Sequence, residues 1–183
     1  MGTRCALLRP GTIAPDFALP HTPKAHVTLH SLLSHPVVLV FYPMDWEPVS
    51  REQLVLYQHY ADAFARFGTR LLGISVDHAA SHAAFARDVQ IRFPLLADFQ
   101  PRGAVARRYG VYRESHGVSA RALFVVGPPG IIRFSEVYPD LLNPGVDDIL
   151  TTLETLAADK MPDKMPDKMP DKMPDKMPDK VPD

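Results

Sequence analysis

The order of apolar and polar positions in the first third of the chain predicts a strand, a helix and a second strand. The segment "VVLVFYP", which begins at Val37, is a continuous apolar, β-branched and aromatic run, as expected for a strand buried on both faces. Between Ser50 and Phe67 the apolar residues recur at helical spacing, and Gly68 is expected to end that helix. "RLLGISVD", from Arg70, is a second buried strand. This order predicts a parallel crossover unit.

The pattern that follows predicts further helices and a hairpin. A helix is expected over Ala79–Val89, a short helical segment around Gly103–Tyr109, and a last helix over Gly145–Ala158. "ALFVVGPPGIIRF", from Ala122, predicts two antiparallel strands joined by a Pro-Pro-Gly turn. Together these elements predict an α/β protein whose central sheet mixes parallel and antiparallel strands and is flanked by helices.

The composition changes abruptly after residue 158, where "DKMP" repeats begin. A proline in every copy prevents a continuous helix, and alternating Asp and Lys without aromatic residues cannot bury enough apolar area to offset chain entropy. We therefore expect one folded domain over residues 1–158 and a disordered low-complexity tail over residues 159–183. A neutral tandem expansion explains the repeats, and a partner-binding role is the alternative.

Charge and cysteine content restrict the classes of function. The net charge is -1 and both signs are interspersed, which argues against a nucleic-acid partner or an anionic membrane surface. The start resembles no signal peptide, and no apolar run approaches the roughly 18 residues of a membrane span, so a cytoplasmic location is expected. Cys5 is the only cysteine, which excludes an intrachain disulfide and a cysteine-rich metal site.

Two histidine pairs have the i, i+4 spacing that can present two imidazoles to a metal ion: His26 with His30, and His78 with His82. Neither pair is accompanied by a carboxylate or cysteine motif that would complete a site. We interpret the second pair as polar residues at a helix start and the first as strand-end or loop residues, and we expect no bound metal.

The first strand runs into a turn and a helix start, the kind of place where a nucleophile is found, and Ser50 stands there. A serine hydrolase would need a histidine base and a glycine-flanked elbow, and "EPVSREQ" has no glycine. The simplest interpretation is that Ser50 is an N-cap or first-turn residue of the helix.

Four separated segments, "GTIAPDFALP", "FYPMDWEPVS", "FPLLADFQPRGAVARRYGVY" and "RALFVVGPPGIIRF", occur in an order that resembles the peroxiredoxins. The resemblance is greatest to the one-cysteine alkyl hydroperoxide reductase E type and its bacterioferritin-comigratory-protein relatives, and it covers about residues 9–157. It implies a thioredoxin-like fold and reduction of hydroperoxides through a cysteine thiolate and a thiol reductant, with no cofactor. It also implies a homodimer, whose interface could include the region of Tyr42 and Trp46.

The active-site signature of that family is Pro, three residues, Thr or Ser, two residues and the peroxidatic Cys, with an Arg from a distant strand. It falls on Pro43, Glu47, Ser50 and Arg121, of which the first and last match. A serine hydroxyl stays protonated at neutral pH and has no equivalent of the sulfenic acid intermediate. The resemblance therefore predicts a peroxiredoxin scaffold without peroxidase activity.

Two origins of Ser50 remain open: a natural lineage that lost the nucleophile, or a laboratory Cys-to-Ser substitution. A carboxylate at Glu47 would raise the pKa of a nearby thiol by like-charge repulsion, so an active parent would be handicapped, which favours the natural pseudoenzyme. Two other hypotheses are a non-catalytic ligand- or protein-binding module on the same scaffold, and an enzyme that uses Cys5. Cys5 is distant in sequence from the matched site, so an ordinary thiol is the simpler interpretation.

Arg121 would lose its countercharge if a neutral hydroxyl replaced a thiolate, and an unpaired guanidinium in a partly buried pocket is costly. Glu47, at the helix start, can accept a two-pronged hydrogen bond from it. The sequence thus predicts a Glu47 to Arg121 ion pair in the place where peroxide would bind.

Overall fold

The computed structural model describes residues 6–22 and 24–159. Cys5 and residues 160–183 of the repeat segment lie outside these residues, so the predictions about them stay predictions. The strands of the described residues are β1 Ala18–Thr22, β2 Ala25–Thr28, β3 Val37–Phe41, β4 Arg70–Ser75, β5 Leu95–Ala97, β6 Tyr112–Arg113, β7 Val118–Ser119, β8 Arg121–Gly127 and β9 Ile131–Tyr138.

A five-stranded mixed sheet in the order β5-β4-β3-β8-β9 forms the centre of the fold. β3 pairs in parallel with β4, and β4 with β5, while β8 is antiparallel to both β3 and β9. The predicted parallel crossover and the predicted Pro-Pro-Gly hairpin are therefore both confirmed. Two antiparallel hairpins, β1 with β2 and β6 with β7, were not predicted, because their short strands lack a long apolar run.

The described residues form five α-helices and a 3-10 turn at His30–Leu32; the helices are α1 Pro48–His59, α2 Ala61–Arg66, α3 Ala79–Asp88, α4 Ala104–Arg108 and α5 Asp147–Ala158. The single helix expected over 50–67 is instead two, because Tyr60 has φ -89° and ψ 9° and interrupts the helical geometry. The last helix begins after Gly145, whose φ of 72° lies outside the right-handed helical region. None of these helices is both long and apolar enough to cross a membrane.

The core lies on both faces of the sheet, which explains the uninterrupted apolar pattern of β3. Val37, Leu39 and Phe41 face a cluster that includes Tyr109 and Phe124. Val38 and Val40 face the opposite cluster, to which α1, α2, α3 and α5 contribute Leu54, Phe64, Phe85 and Leu153. Every residue of β3 is therefore buried, and this strand ends directly at the turn that carries the candidate site.

Candidate active site

The topology of the sheet brings the four predicted site residues to one end of β3. Phe41, the last residue of β3, is paired with Ala122, so Arg121 lies just beyond the end of the strand. The chain then passes through buried Pro43 and enters α1 at Pro48, which places Ser50 in the first helical turn. The prediction that Ser50 lies in the first turn of a helix and that Arg121 approaches it from a neighbouring strand is confirmed.

Glu47 is the N-cap of α1. Its carboxylate accepts the backbone N–H of Val49 at 3.0 Å and that of Ser50 at 2.6 Å, and Pro48 follows in the first helical position, where its missing N–H costs nothing. The N-cap role considered for Ser50 therefore belongs to Glu47. Ser50 is instead a residue of the first helical turn, which was the second of the two roles expected for it.

Ser50 is fully buried, and its hydroxyl donates to Oε2 of Glu47 at 2.6 Å. Its oxygen also lies 3.5 Å from Nη1 of Arg121, a long and weak contact. No histidine is among the hydrogen-bond partners of Ser50 in the described residues. The hydroxyl therefore donates to a carboxylate, a weak base that is already paired with Arg121, and has no imidazole partner, which is not the arrangement of an activated serine nucleophile.

The guanidinium of Arg121 is buried, and all of its hydrogen-bond donors have acceptors. Nη2 donates to Oε2 of Glu47 at 2.9 Å and to the backbone oxygen of Asp140 at 2.9 Å. Nη1 donates to Oε1 of Gln53 at 2.8 Å, and Nε to the same Asp140 oxygen at 3.2 Å. With the long contact to Ser50, every N–H of the guanidinium faces an acceptor. The predicted ion pair between Glu47 and Arg121 is confirmed as a direct contact, and together with the other acceptors it leaves no donor of Arg121 free.

The Glu47 carboxyl has a lowered pKa. Its partial burial acts to raise the pKa, but the hydrogen bonds from the Ser50 hydroxyl, from Arg121 and from the backbone of Ser50 and Val49 together outweigh that effect. The side chain of Glu47 is only 23% exposed, so these contacts are partly shielded from solvent. The site therefore holds a carboxylate anion at neutral pH, hydrogen-bonded to a neutral serine and paired with an arginine.

Two partners of Arg121 were missed by the sequence analysis. Gln53 follows Ser50 by three positions and so lies on the same helical face, a spacing that could have identified it. The backbone oxygen of Asp140 carries no sequence signal, because any residue supplies a carbonyl. The Asp140 carboxylate in turn accepts hydrogen bonds from Arg113, which anchors the segment after β9.

A polar cluster, made of buried Tyr42, Asp45 and His82 and of half-buried Ser81, holds the turn between β3 and α1. The Asp45 carboxylate accepts the Tyr42 hydroxyl at 2.9 Å, the Ser81 hydroxyl at 2.7 Å and Nδ1 of His82 at 3.0 Å. The backbone N–H of Asp45 donates to Asp77 at 2.8 Å. These bonds tie the turn to the start of α3.

The structure corrects two expectations, the helix-start position of His82 and the place of Tyr42 at a dimer interface. His78 is the N-cap of α3, as expected of a helix-start residue, but His82 is buried and bonded to Asp45. Tyr42 is fully buried and therefore cannot contribute to a dimer surface, whereas Trp46 is about half exposed. Trp46 has φ 65° and packs edge-on against Phe85 at 5.2 Å between ring centroids.

His26 lies in β2 and His30 begins the 3-10 turn, in line with their interpretation as strand or loop residues. Across residues 6–22 and 24–159, no group of three or more His, Cys, Asp or Glu side chains is arranged to hold a metal ion.

The fold and the site define the class of this protein. The mixed sheet flanked by helices is the thioredoxin-like architecture found in solved peroxiredoxins. The sequence model of the AhpC/TSA family matches residues 10–135. The chain therefore belongs to the AhpC/TSA family of peroxiredoxins, and the predicted resemblance and fold class are confirmed.

Individual relatives agree with this membership. Peroxiredoxin 2 of Thermoplasma acidophilum is 33% identical over 152 residues, which span 80% of this chain and 75% of the relative. Alkyl hydroperoxide reductase E of Mycobacterium tuberculosis is 36% identical over 132 residues, 72% of this chain and 86% of the relative. Among solved structures, the reduced 2-Cys peroxiredoxin of Plasmodium vivax is similar with a TM-score of 0.76 at 25% identity, covering 82% of this chain and 83% of that one.

Proposed function

We propose that this chain is a natural peroxiredoxin pseudoenzyme, in which Ser50 occupies the position of the peroxidatic cysteine and hydroperoxides are not reduced. The spacing of Pro43, Glu47 and Ser50 supports this assignment, as does the approach of Arg121 from β8. The observation that carries the proposal is that Glu47 lies between the serine and the arginine and accepts a hydrogen bond from each of them.

The chemistry of peroxide reduction explains why a serine is inactive here. A thiolate attacks one peroxide oxygen, the O–O bond breaks, the sulfur becomes a sulfenic acid, and the departing oxygen leaves as water or an alcohol. The same attack by a serine oxygen would only create another O–O bond, so no oxidising equivalent is consumed. The Ser50 hydroxyl also donates a hydrogen bond to Glu47, a carboxylate whose lowered pKa makes it too weak a base to ionise a serine.

Glu47 also competes for the place of the substrate. An arginine that stabilises peroxide needs N–H groups directed at the O–O unit, whereas each N–H of Arg121 already faces a protein acceptor. We infer that the Glu47 carboxylate fills the peroxide position. A single laboratory Cys-to-Ser change would not by itself supply this carboxylate, so the fit among Glu47, Ser50 and Arg121 supports a natural lineage.

A hydroperoxide-consumption assay tests the proposal. The full-length chain is incubated with hydrogen peroxide, or with an organic hydroperoxide, and dithiothreitol, beside its Cys5→Ser variant. We expect both proteins to consume peroxide at the rate of buffer. Turnover that disappears in Cys5→Ser would show that Cys5 is a substitute nucleophile, and turnover that survives in this variant would show that the site has an unassigned chemistry. Either result overturns the proposal.

A second candidate function, a protein-binding module, is favoured by the surface around the site. Large apolar side chains are exposed on the turn before α1 and on the segment that follows Asp140, namely Met44, Trp46, Leu141 and Leu142. We call these four side chains the site-flanking apolar surface. We propose that they form the interface of a homodimer in the cytoplasm, with no membrane or nucleic-acid partner, and that any thiol reductant acts on active relatives rather than on this chain.

A further inference from the structure

A cleft of about 600 Å³ lies at the end of the sheet opposite to Glu47 and Arg121. β3 and β4 are parallel, and Val37, the first residue of β3, is paired with Arg70, the first residue of β4. The candidate site follows the last residue of β3, whereas the cleft is lined by the first residues of β4 and the segment before it. The cleft is therefore separate from the candidate site.

The cleft is open because β5 is shorter than β4. The ladder between them begins only at Gly73 and Leu95, where the Gly73 N–H donates to the backbone oxygen of Pro94 at 3.0 Å. Continuing the ladder would require Pro94 to donate an N–H to the Leu71 carbonyl, and proline has none. Leu71, two residues before Gly73, presents its N–H at the same uncovered edge, where no bond to it is made by the described residues.

The polar groups of the cleft form a set of unused donors. The Thr69 hydroxyl oxygen is buried and has no hydrogen-bond partner among the residues that the structure describes. Arg70 and Arg92 line the cleft, and neither guanidinium forms an ion pair within the same residues. Asp62 is the acidic residue of the lining, so the two arginines leave a net positive charge there.

The remaining lining is mostly apolar, and Phe64, Leu71, Leu72 and Phe93 are among its residues. A pocket of this size with an apolar wall and a few convergent polar groups is typical of small-molecule sites. We propose that this cleft binds an organic monocarboxylate with an apolar body. The carboxylate accepts hydrogen bonds from Arg70, Arg92, the Thr69 hydroxyl and the Leu71 N–H, and the body packs against the phenylalanine rings.

Decanoate, below its micellar concentration, is a suitable probe, and methyl decanoate is the uncharged control. Titration of the ¹⁵N-labelled protein should shift the amide signals of Thr69, Leu71 and Phe93 in a saturable manner with decanoate and much less with the ester. Equal binding of the ester would show that the carboxylate is not recognised. The absence of saturable shifts at these amides would show that decanoate does not bind in the cleft. Shifts that depend on protein concentration without ligand would assign the cleft to a second copy of the chain. Each of these three results overturns the proposal.

A paired-variant comparison tests the arginines. Arg70→Gln combined with Arg92→Gln should weaken decanoate binding at least about tenfold, because charge-assisted hydrogen bonds are lost. Arg66→Gln combined with Arg87→Gln is the matched control, since both residues are exposed and neither lines the cleft. Equal affinities of the two double variants would contradict the proposal. The outcome is independent of peroxidase activity, because neither pair belongs to the candidate site.

Discussion

Glu47 governs the ionisation chemistry of the site because a single carboxylate oxygen accepts three hydrogen bonds. Oε2 receives the N–H and the hydroxyl of Ser50 and an N–H of Arg121. In a cysteine-containing site the helix start and the arginine would both favour a thiolate. Here both are directed to the carboxylate of Glu47, so any nucleophile placed at position 50 would compete with an anion already in place.

Ser50→Cys is expected to restore only weak peroxidase activity, because a thiolate at that position would be repelled by Glu47. Adding Glu47→Thr should lower the thiol pKa by about one unit or more and increase the rate of peroxide consumption. Both variants are made in a Cys5→Ser background, so that the new thiol is the only one. The pH dependence of iodoacetamide alkylation measures the thiol pKa, and a coupled peroxide assay measures the rate.

Ser115→Cys in the same background supplies an exposed thiol away from the site as a control, and it should show ordinary thiol reactivity. Activity of the single Ser50→Cys variant equal to that of the double variant would show that Glu47 does not oppose the thiolate. That result would instead favour an engineered origin of the serine from an active parent.

Glu47→Gln should lower the free energy of unfolding at pH 7 by about 1–3 kcal/mol, since a charged hydrogen-bond acceptor of buried Arg121 is lost. Because folding lowers the pKa of Glu47, its stabilising contribution is complete above its ordinary pKa of 4.5. The contribution disappears as the pH falls through the lower pKa of the folded state. Urea unfolding of both proteins between pH 7 and pH 3 should therefore show a difference that shrinks in acid.

Glu52→Gln is a matched control, because Glu52 is exposed on the same helix and forms no ion pair among the described residues. It should change stability by less than about 0.5 kcal/mol. A Glu47→Gln protein as stable as this control at pH 7 would mean that the ion pair with Arg121 makes no net contribution, and that the substitutions at positions 47 and 50 arose independently.

The helices and strands show how far a pattern of apolar residues predicts structure. Strands β3, β4 and β8 were predicted because burial on both faces gives long apolar runs, and β9 was predicted from the Pro-Pro-Gly turn that precedes it. The break between α1 and α2 at Tyr60 was not predicted, because Leu56, Tyr57 and Phe64 keep a helical period across it. The break involves a single residue, whereas the apolar period is recognised over several helical turns, so the period does not reveal it.

The part of the site that was predicted consists of the side chains at the positions of the family signature. Glu47, Ser50 and Arg121 are brought together as expected, whereas the acceptance of two Arg121 hydrogen bonds by the Asp140 carbonyl follows from tertiary packing alone. His82 was interpreted from its spacing to His78, but its actual partner is Asp45, which is 37 positions away in sequence. Contacts of this kind depend on how α3 packs against the turn before α1.

Asp45→Ala tests whether this packing contact holds the turn. Removing the carboxylate leaves the hydroxyls of Tyr42 and Ser81 and Nδ1 of His82 without their acceptor in a buried place. The free energy of unfolding should fall by about 2–4 kcal/mol, as measured by urea denaturation. Asp88→Ala, which removes only an exposed ion pair with Arg51, should cost less than about 1 kcal/mol. Equal effects of the two substitutions would contradict a structural role for the cluster.

The assembly of the molecule can be tested through the site-flanking apolar surface. If these side chains form a homodimer interface, then Leu141→Asp together with Leu142→Asp should convert the dimer to a monomer in light scattering coupled to size-exclusion chromatography, because charge at an interface core is unfavourable. Ile13→Asp is the control, since Ile13 is also exposed but lies outside this surface. A wild-type monomer at micromolar concentration, or a dimer unaffected by the double substitution, would contradict the proposed interface.

Trp46 makes the candidate site visible to spectroscopy without a label. It is the only tryptophan of the chain, and it directly precedes Glu47 while its ring packs on Phe85 at the surface. Tryptophan emission, excited at wavelengths that tyrosine does not absorb, therefore comes from this turn alone. An acid titration followed by tryptophan fluorescence would report the protonation of the neighbouring carboxylate, and quenching by acrylamide would report whether a second subunit covers the ring.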